Sequence, residues 1–151
     1  MTRTVAREIA VRLCFCISEN PKDPKELLSD FFDAEYYATL KTEDEFYGNL
    51  PDDKQMEYIT RLVTGVSEHS AELDGYIGKY AVGWKFDRIS RTAVAIMKTA
   101  MFEVLYMPDI PDGAAIDEAI ELAKRYDAPE TVPFINGVLG SFTRTEAKSG
   151  G

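Results

Sequence analysis

Apolar residues recur at intervals of three and four along almost all of this chain, the spacing that gathers side chains on one face of an α-helix. Val5, Ile9, Leu13 and Cys16 make the first such face, with Thr2 or Thr4 placed to cap it. Leu27, Leu28, Phe31, Phe32, Tyr36 and Leu40 make a second. An acidic connection, T-E-D-E-F-Y-G-N-L-P-D-D, comes next. Met56, Ile59, Leu62, Val63, Val66, Leu73, Ile77 and Tyr80 then predict the longest helix, of about 25 residues or ~38 Å. Gly83 and the only tryptophan, Trp84, mark a break near the middle of the chain.

A fourth helix is predicted over 91–106 from Val94, Met97, Met101, Val104 and Leu105. The sequence P-D-I-P-D-G ends it and offers Asp112 as the cap of the next. That next helix, A-I-D-E-A-I-E-L-A-K-R-Y, is expected to bury Ile116, Ala119, Ile120 and Ala123. Its acids lie early and Lys124 and Arg125 late, which suits the helix dipole.

The last segment, T-V-P-F-I-N-G-V-L-G-S-F over 131–142, holds a conflict. Asn-Gly between apolar residues is a hairpin signal, yet apolar and polar positions do not alternate here. At about 100° per residue, Phe134, Ile135, Val138, Leu139 and Phe142 fall within an arc of roughly 140°. Asn136, Gly137, Gly140 and Ser141 take the other side, and Pro133 fits a first turn. A sixth helix with a smooth back is therefore predicted. Its two glycines cost about 1 kcal/mol each relative to alanine. Either another backbone packs closely against them or the surface is kept flat for a partner.

The 151 residues suit one domain, 45% hydrophobic and 28% charged. Neither an apolar run of the roughly 20 residues a membrane span needs nor a secretory leader is visible, so a cytoplasmic protein is expected. Cys14 and Cys16 would point about 200° apart on a helix and could neither pair nor share a metal. Both are expected as buried free thiols, which fits a reducing compartment. The end of the chain, 145–151, reads as a disordered tail.

The net charge of −9 lowers the expectation of nucleic-acid binding, but its distribution is uneven. Residues 1–18 hold three Arg against one Glu, or +2, whereas residues 19–57 hold four Lys against twelve acids, or −8. No phosphate loop, C-x-x-C or G-x-S-x-G is present, and the single histidine, His69, lies on the polar side of its predicted helix. A solvated His69, no enzyme, no cofactor and no metal are expected.

The first helix carries the most chemistry. With Val5, Ile9, Leu13 and Cys16 inward, Arg3 and Arg7 flank one outer edge, Glu8 and Arg12 the other, and Val11 and Phe15 lie between. Guanidinium groups beside an outward ring suit single-stranded RNA, charge for phosphates and a flat face for a base. The competing reading makes this helix central, with Phe15 in the core.

The run W-K-F-D-R-I-S, A-M-F-E-V-L-Y, D-I-P, A-A-I-D-E-A-I-E-L-A-K-R-Y and F-I-N-G-V-L-G, with A-R-E-I-A-V-R-L-C-F near the start, closely resembles the NusB family of bacterial transcription antitermination factors. The likeness is strong over 84–142, good over 5–15 and weak through 19–57. It implies an all-α fold of two packed three-helix subdomains, about 1–82 and 84–144, within one domain over 1–144. It also implies an RNA-binding adaptor. The expected partners are single-stranded boxA RNA, the ribosomal protein NusE and the RNA polymerase antitermination complex, on ribosomal RNA operons. Matched by position, the RNA-binding residues would be Arg3, Arg7, Arg12, Phe15, Glu130 and Phe134. The family is thought to include monomers and dimers, so a homodimer is an open possibility.

This chain departs from the family pattern in a thin arginine cluster, in Ala93 and Val94 where an acid and an arginine are usual, and in Asp117 where Asn is common. Two alternatives stand beside the adaptor reading. One is a helical protein–protein module with little RNA binding. The other is an accessory NusB-like domain related to ribosomal RNA methyltransferases.

Overall fold

A computed structural model of the chain describes residues 1–147. Among them it holds eight α-helices, three short 3-10 turns and no strand: α1 (Arg3–Glu19), α2 (Pro24–Phe31), α3 (Ala34–Thr39), α4 (Asp53–Glu68), α5 (Ser70–Tyr80), α6 (Arg91–Tyr106), α7 (Asp112–Tyr126) and α8 (Thr131–Glu146). The all-helical class expected from the periodicity is the one observed. No described helix is long and apolar enough to cross a membrane.

Eight helices form where six faces were counted, because two of the predicted helices break. The second stops at Phe32, and Asp33 restarts the chain by accepting the Tyr36 amide at 3.1 Å. That restart shifts the phase by one residue, so Tyr37 is buried and Tyr36, expected inside, is exposed. The long third helix breaks at His69 (φ −102°, ψ 17°). At the break His69 makes tertiary contacts. The imidazole stacks on the Tyr106 ring at 4.3 Å, and its Nδ1 lies 3.4 Å from Glu72. His69 is therefore a packed, half-buried side chain and not the solvated one expected.

The chain divides into two compact units, Met1–Ser67 and a second beginning at Glu68. In the first unit α1 carries the continuous buried run Ala6–Ala10 together with Leu13 and Cys14. Cys16, expected inward, is exposed, because the buried stripe passes through Cys14 and the last turn projects into solvent. Phe31, Tyr37 and Tyr47 meet edge to face at centroid distances of 5.9–6.4 Å. These rings fold the acidic connection onto the unit, and the Tyr37 hydroxyl donates to the Asn49 carbonyl at 3.0 Å.

In the second unit α6 packs against α5, α7 and α8. Every residue from Ala95 to Glu103 is buried, so α6 is covered on all sides. Its lysine, Lys98, is matched by Asp74 at 2.9 Å and donates to Ser70 at 2.6 Å. Tyr106 donates to Glu72 at 2.6 Å, and that hydrogen bond leads the causes that push its phenol up to about 12. In α7, Asp112 stands inside the first turn and Pro111 takes the cap position. The buried stripe there is Ala115, Ala119, Leu122 and Ala123, while the bulkier Ile116 and Ile120 stay half-buried.

The last segment is a helix. Ile135, Val138, Leu139 and Phe142 are buried, Asn136 and Gly137 are exposed, and Pro133 sits in the first turn. Lys79 and Tyr80 hold Glu146, so helix persists through Thr145 and Glu146, where a tail was expected. Residues 148–151 lie outside the described residues. A Cβ on Gly137 would meet nothing within 4 Å, and one on Gly140 would meet chiefly the flexible end of Arg144, at 3.2 Å. Close packing of another backbone within the described chain thus does not explain either glycine. Gly137→Ala should raise the unfolding free energy by up to about 1 kcal/mol, read by urea denaturation, and a loss of stability would contradict the open space.

Candidate nucleic-acid interface

The six residues singled out from sequence fall into three local settings. Arg3 lies on the first turn of α1, half-buried, with Nε donating to Gln55 Oε1 at 2.9 Å. Its guanidinium carbon stands 4.0 Å from the Tyr58 ring centroid, a cation–π contact with α4. Arg7, one turn on, is not at an outer edge. Only 4% of it is exposed, and its guanidinium lies 5.6 Å from the same Tyr58 ring. Glu8 is buried as well. The expected outward face is therefore closed around Arg7 and Glu8, because Tyr58 of α4 covers that side of α1. Tyr58 and Gln55 lie far along the chain from Arg3 and Arg7, so sequence periodicity gave no signal of this cover.

Arg12 has a second setting. Nη1 donates to the Tyr47 hydroxyl at 2.7 Å and to Glu43 Oε2 at 3.0 Å. Its guanidinium also lies over the rings of Tyr47 and Phe31, at 5.4 and 5.6 Å. Burial opposes the charge of Arg12, but the hydrogen bonds to Tyr47 and Glu43 outweigh it and hold the pKa above the ordinary arginine value. Burial likewise raises the Tyr47 phenol, partly offset by its bond from Arg12. Phe15 and Val11 are half-buried, so Phe15 is neither a free outward ring nor a core residue.

Glu130 and Phe134 belong to the second unit. Glu130 precedes α8, exposed, with no side-chain bond to the helix amides. Phe134 is half-buried, and its ring meets Trp84 at a centroid distance of 4.6 Å and a tilt of 47°. The connection carrying Trp84 is tied to the approach of α8, since Ser90 Oγ donates to Asp127 Oδ2 at 2.6 Å while capping α6 through the Ala93 amide. Residues 82–91 hold Lys85, Arg88 and Arg91 against Asp87, a net +2 in a chain of net −9. In the sequence Trp84 marked a break and opened the family-like run W-K-F-D-R-I-S, but its interleaved rings and cations were not among the expected RNA-binding residues.

Residues 4–144 match the NusB family. The chain belongs to the NusB family. Among its curated relatives is the transcription antitermination protein NusB of Acetivibrio thermocellus, 37% identical over 149 residues, covering 99% of this chain and 93% of the relative. That of Clostridium botulinum strain Kyoto is 33% identical over 140 residues, covering 93% of this chain and 98% of the relative. These relatives are named for transcription antitermination and not for a catalysed reaction. Among solved structures, NusB of T. maritima superposes with a TM-score of 0.79 at 27% identity, covering 97% of this chain and 94% of that one. A crystal structure of antitermination factors NusB and NusE in complex with dsRNA matches with a TM-score of 0.73 at 20% identity, over 95% and 98% of the two chains, and shares the NusB fold.

Within this NusB-family chain the arginines of α1 divide by burial. The partly exposed Arg12–Glu43 pair is worth at most about 1 kcal/mol and the Tyr47 bond about as much again, whereas truncating a long enclosed side chain loses its packing and costs ~2–5 kcal/mol. Arg12→Ala should thus lose about 1–2 kcal/mol of unfolding free energy in urea, and Arg7→Ala distinctly more, about 3 kcal/mol. Equal losses would mean that Arg12 is as structural as Arg7.

Proposed function

We propose that this chain is a cytoplasmic RNA-binding adaptor in transcription antitermination. It binds boxA-type single-stranded RNA together with the ribosomal protein NusE and joins the RNA polymerase antitermination complex on ribosomal RNA operons. The observation that carries this reading is the family match over 4–144, which takes in the residues of both units, among relatives named as antitermination proteins. The fold likeness to a protein crystallised with NusE and dsRNA supports a shared RNA and NusE role.

The geometry bears on how strong such binding is. Arg7 is buried, so α1 offers Arg3 and Arg12, each already holding a neutral or acidic partner. Two cations on single-stranded RNA give a salt slope near −1.4. A chain of net −9 adds long-range repulsion. Affinity alone is therefore weak, and sharing the RNA with a second RNA-binding protein raises it. Arg3, Arg12, Phe15, Glu130 and Phe134 are the contact residues of this reading, while Arg7 acts by holding α1 against Tyr58.

A second reading, a helical protein–protein module with little RNA binding, is favoured by the same closure of the α1 face. One titration separates them. Labelled boxA-type RNA should bind weakly alone, at least tenfold more tightly with NusE, and with a log–log salt slope between about −1 and −3 for the chain by itself. Arg3→Ala with Arg12→Ala should weaken RNA binding and leave NusE binding intact. Salt-independent binding, or none with NusE present, would leave the module reading standing. Mass measurement with and without RNA reads whether a homodimer forms.

A further inference from the structure

We infer that Trp84, resting on Phe134, is a stacking shelf for a base of single-stranded RNA, with Lys85 and Arg88 as its phosphate contacts. The inference rests on the RNA-binding reading above and adds a site to it.

Trp84 is 55% exposed although its indole is the largest apolar side chain in the protein. Val82 (85%) and Phe86 (43%) stand beside it, so three apolar residues of a five-residue stretch face solvent. Single exposed apolar residues are ordinary, but a cluster marks a binding surface. This one is held in shape. Gly83 adopts φ +84°, a conformation other residues rarely take, and closes a turn in which the Trp84 amide donates to the Ala81 carbonyl at 3.1 Å. Phe86–Arg88 then form a 3-10 turn, anchored by the buried Ile89 and by the Ser90–Asp127 bond. Phe134 props the indole at 4.6 Å. A half-exposed ring already held by its neighbours loses little freedom on stacking against a base.

Charge decides the class of ligand. Lys85 and Arg88 are exposed, and among the described residues neither makes an ion pair. Two rings and two cations fall within five residues, W-K-F-D-R, which is the pairing single-stranded nucleic acid needs: a π face for the base and positive charge for the phosphates. Asp87 in this loop, and Asp127 and Glu130 in the α7–α8 connection that Ser90 binds, are the acids nearby. They disfavour phosphate at their own positions and can accept from base amino groups. A protein partner docking on the three apolar residues would gain little from two unpaired cations in their midst.

Trp84 is the only tryptophan, so its emission reports this site alone within the chain. The experiment titrates fluorescently labelled boxA-type RNA into the full chain with NusE, following RNA anisotropy and indole emission together, with the Trp84→Phe complex as the emission blank. Indole quenching should follow the anisotropy isotherm. Trp84→Ala should weaken binding about tenfold with an unchanged salt slope, and Trp84→Phe should recover most of the loss. Lys85→Ala with Arg88→Ala should flatten the slope by about 1. Thermal unfolding of the Trp84→Phe and Lys85→Ala/Arg88→Ala variants should match the parent, and Trp84→Ala, which loses the ring contact with Phe134, should still unfold cooperatively above the assay temperature. If RNA binds normally to Trp84→Ala and the indole stays silent, the shelf is wrong and the RNA reading survives. If NusE without RNA causes the quenching, the patch is a protein-docking surface and the inference fails. If the parent chain binds no RNA with NusE present, both fail.

Discussion

The guanidinium of Arg7 is enclosed, 4% exposed and set toward the Tyr58 ring, and this contact constrains everything α1 can do. A charge removed from water without partners costs several kcal/mol, so a cation at that position must keep its neighbours in every state of the folded chain. It cannot exchange them for phosphate. Because Tyr58 serves Arg3 as well, at 4.0 Å, one aromatic residue of α4 fixes the opening turns of α1 through two cations. The roll of α1 about its axis follows from this, and so does the direction in which Arg12 and Phe15 point one and two turns later.

The same constraint explains why an arginine count overstates the electrostatic capacity of the helix. Arg3 and Arg12 remain accessible, but each is engaged. The Arg12–Glu43 pair ties α1 to the acidic connection, with 35% and 53% of the two side chains exposed. A pair that open is screened by solvent and is displaced at small cost. The acidic stretch therefore acts as a local counter-ion for α1 and not only as a distant source of repulsion. A polyanion meeting this surface competes with a carboxylate already in place, which sharpens the distinction between a weak lone encounter and one reinforced by a second protein.

What the sequence made legible, and what it did not, divides along the range of the interactions involved. The identity of α8 as a helix, against the Asn-Gly hairpin signal, was readable because five apolar residues repeat at helical spacing and Pro133 suits a first turn. The buried set Ile135, Val138, Leu139 and Phe142 follows directly. The break at His69 was not readable, and the ring that His69 meets there, Tyr106, belongs to another helix. The exchange of Tyr36 for Tyr37 came from Asp33, a capping residue that restarts the helix one residue out of phase. At the candidate site the residue types and the family likeness were visible, while the burial of Arg7 depended on Tyr58, a partner that periodicity cannot name. Trp84 was conspicuous in composition, and only its exposure and its contact with Phe134 give it a chemical part.

Cationic groups on an anionic chain work best where acids are locally outnumbered, because the field at a bound phosphate falls off within about 8–10 Å at physiological salt. The start of α1 and residues 82–91 satisfy that condition along the sequence, each with three cations against one acid. Their surroundings differ in kind. The α1 cations are braced by rings and a carboxylate of their own unit, which lowers what they can offer a ligand. In the later segment Lys85 and Arg88 are exposed beside rings that are themselves exposed. The net charge of −9 then has a definite effect: it weakens non-specific attraction to any polyanion and leaves binding to depend on the few places where ring and cation coincide. Weak background affinity is what makes such local contacts discriminating among polyanionic ligands.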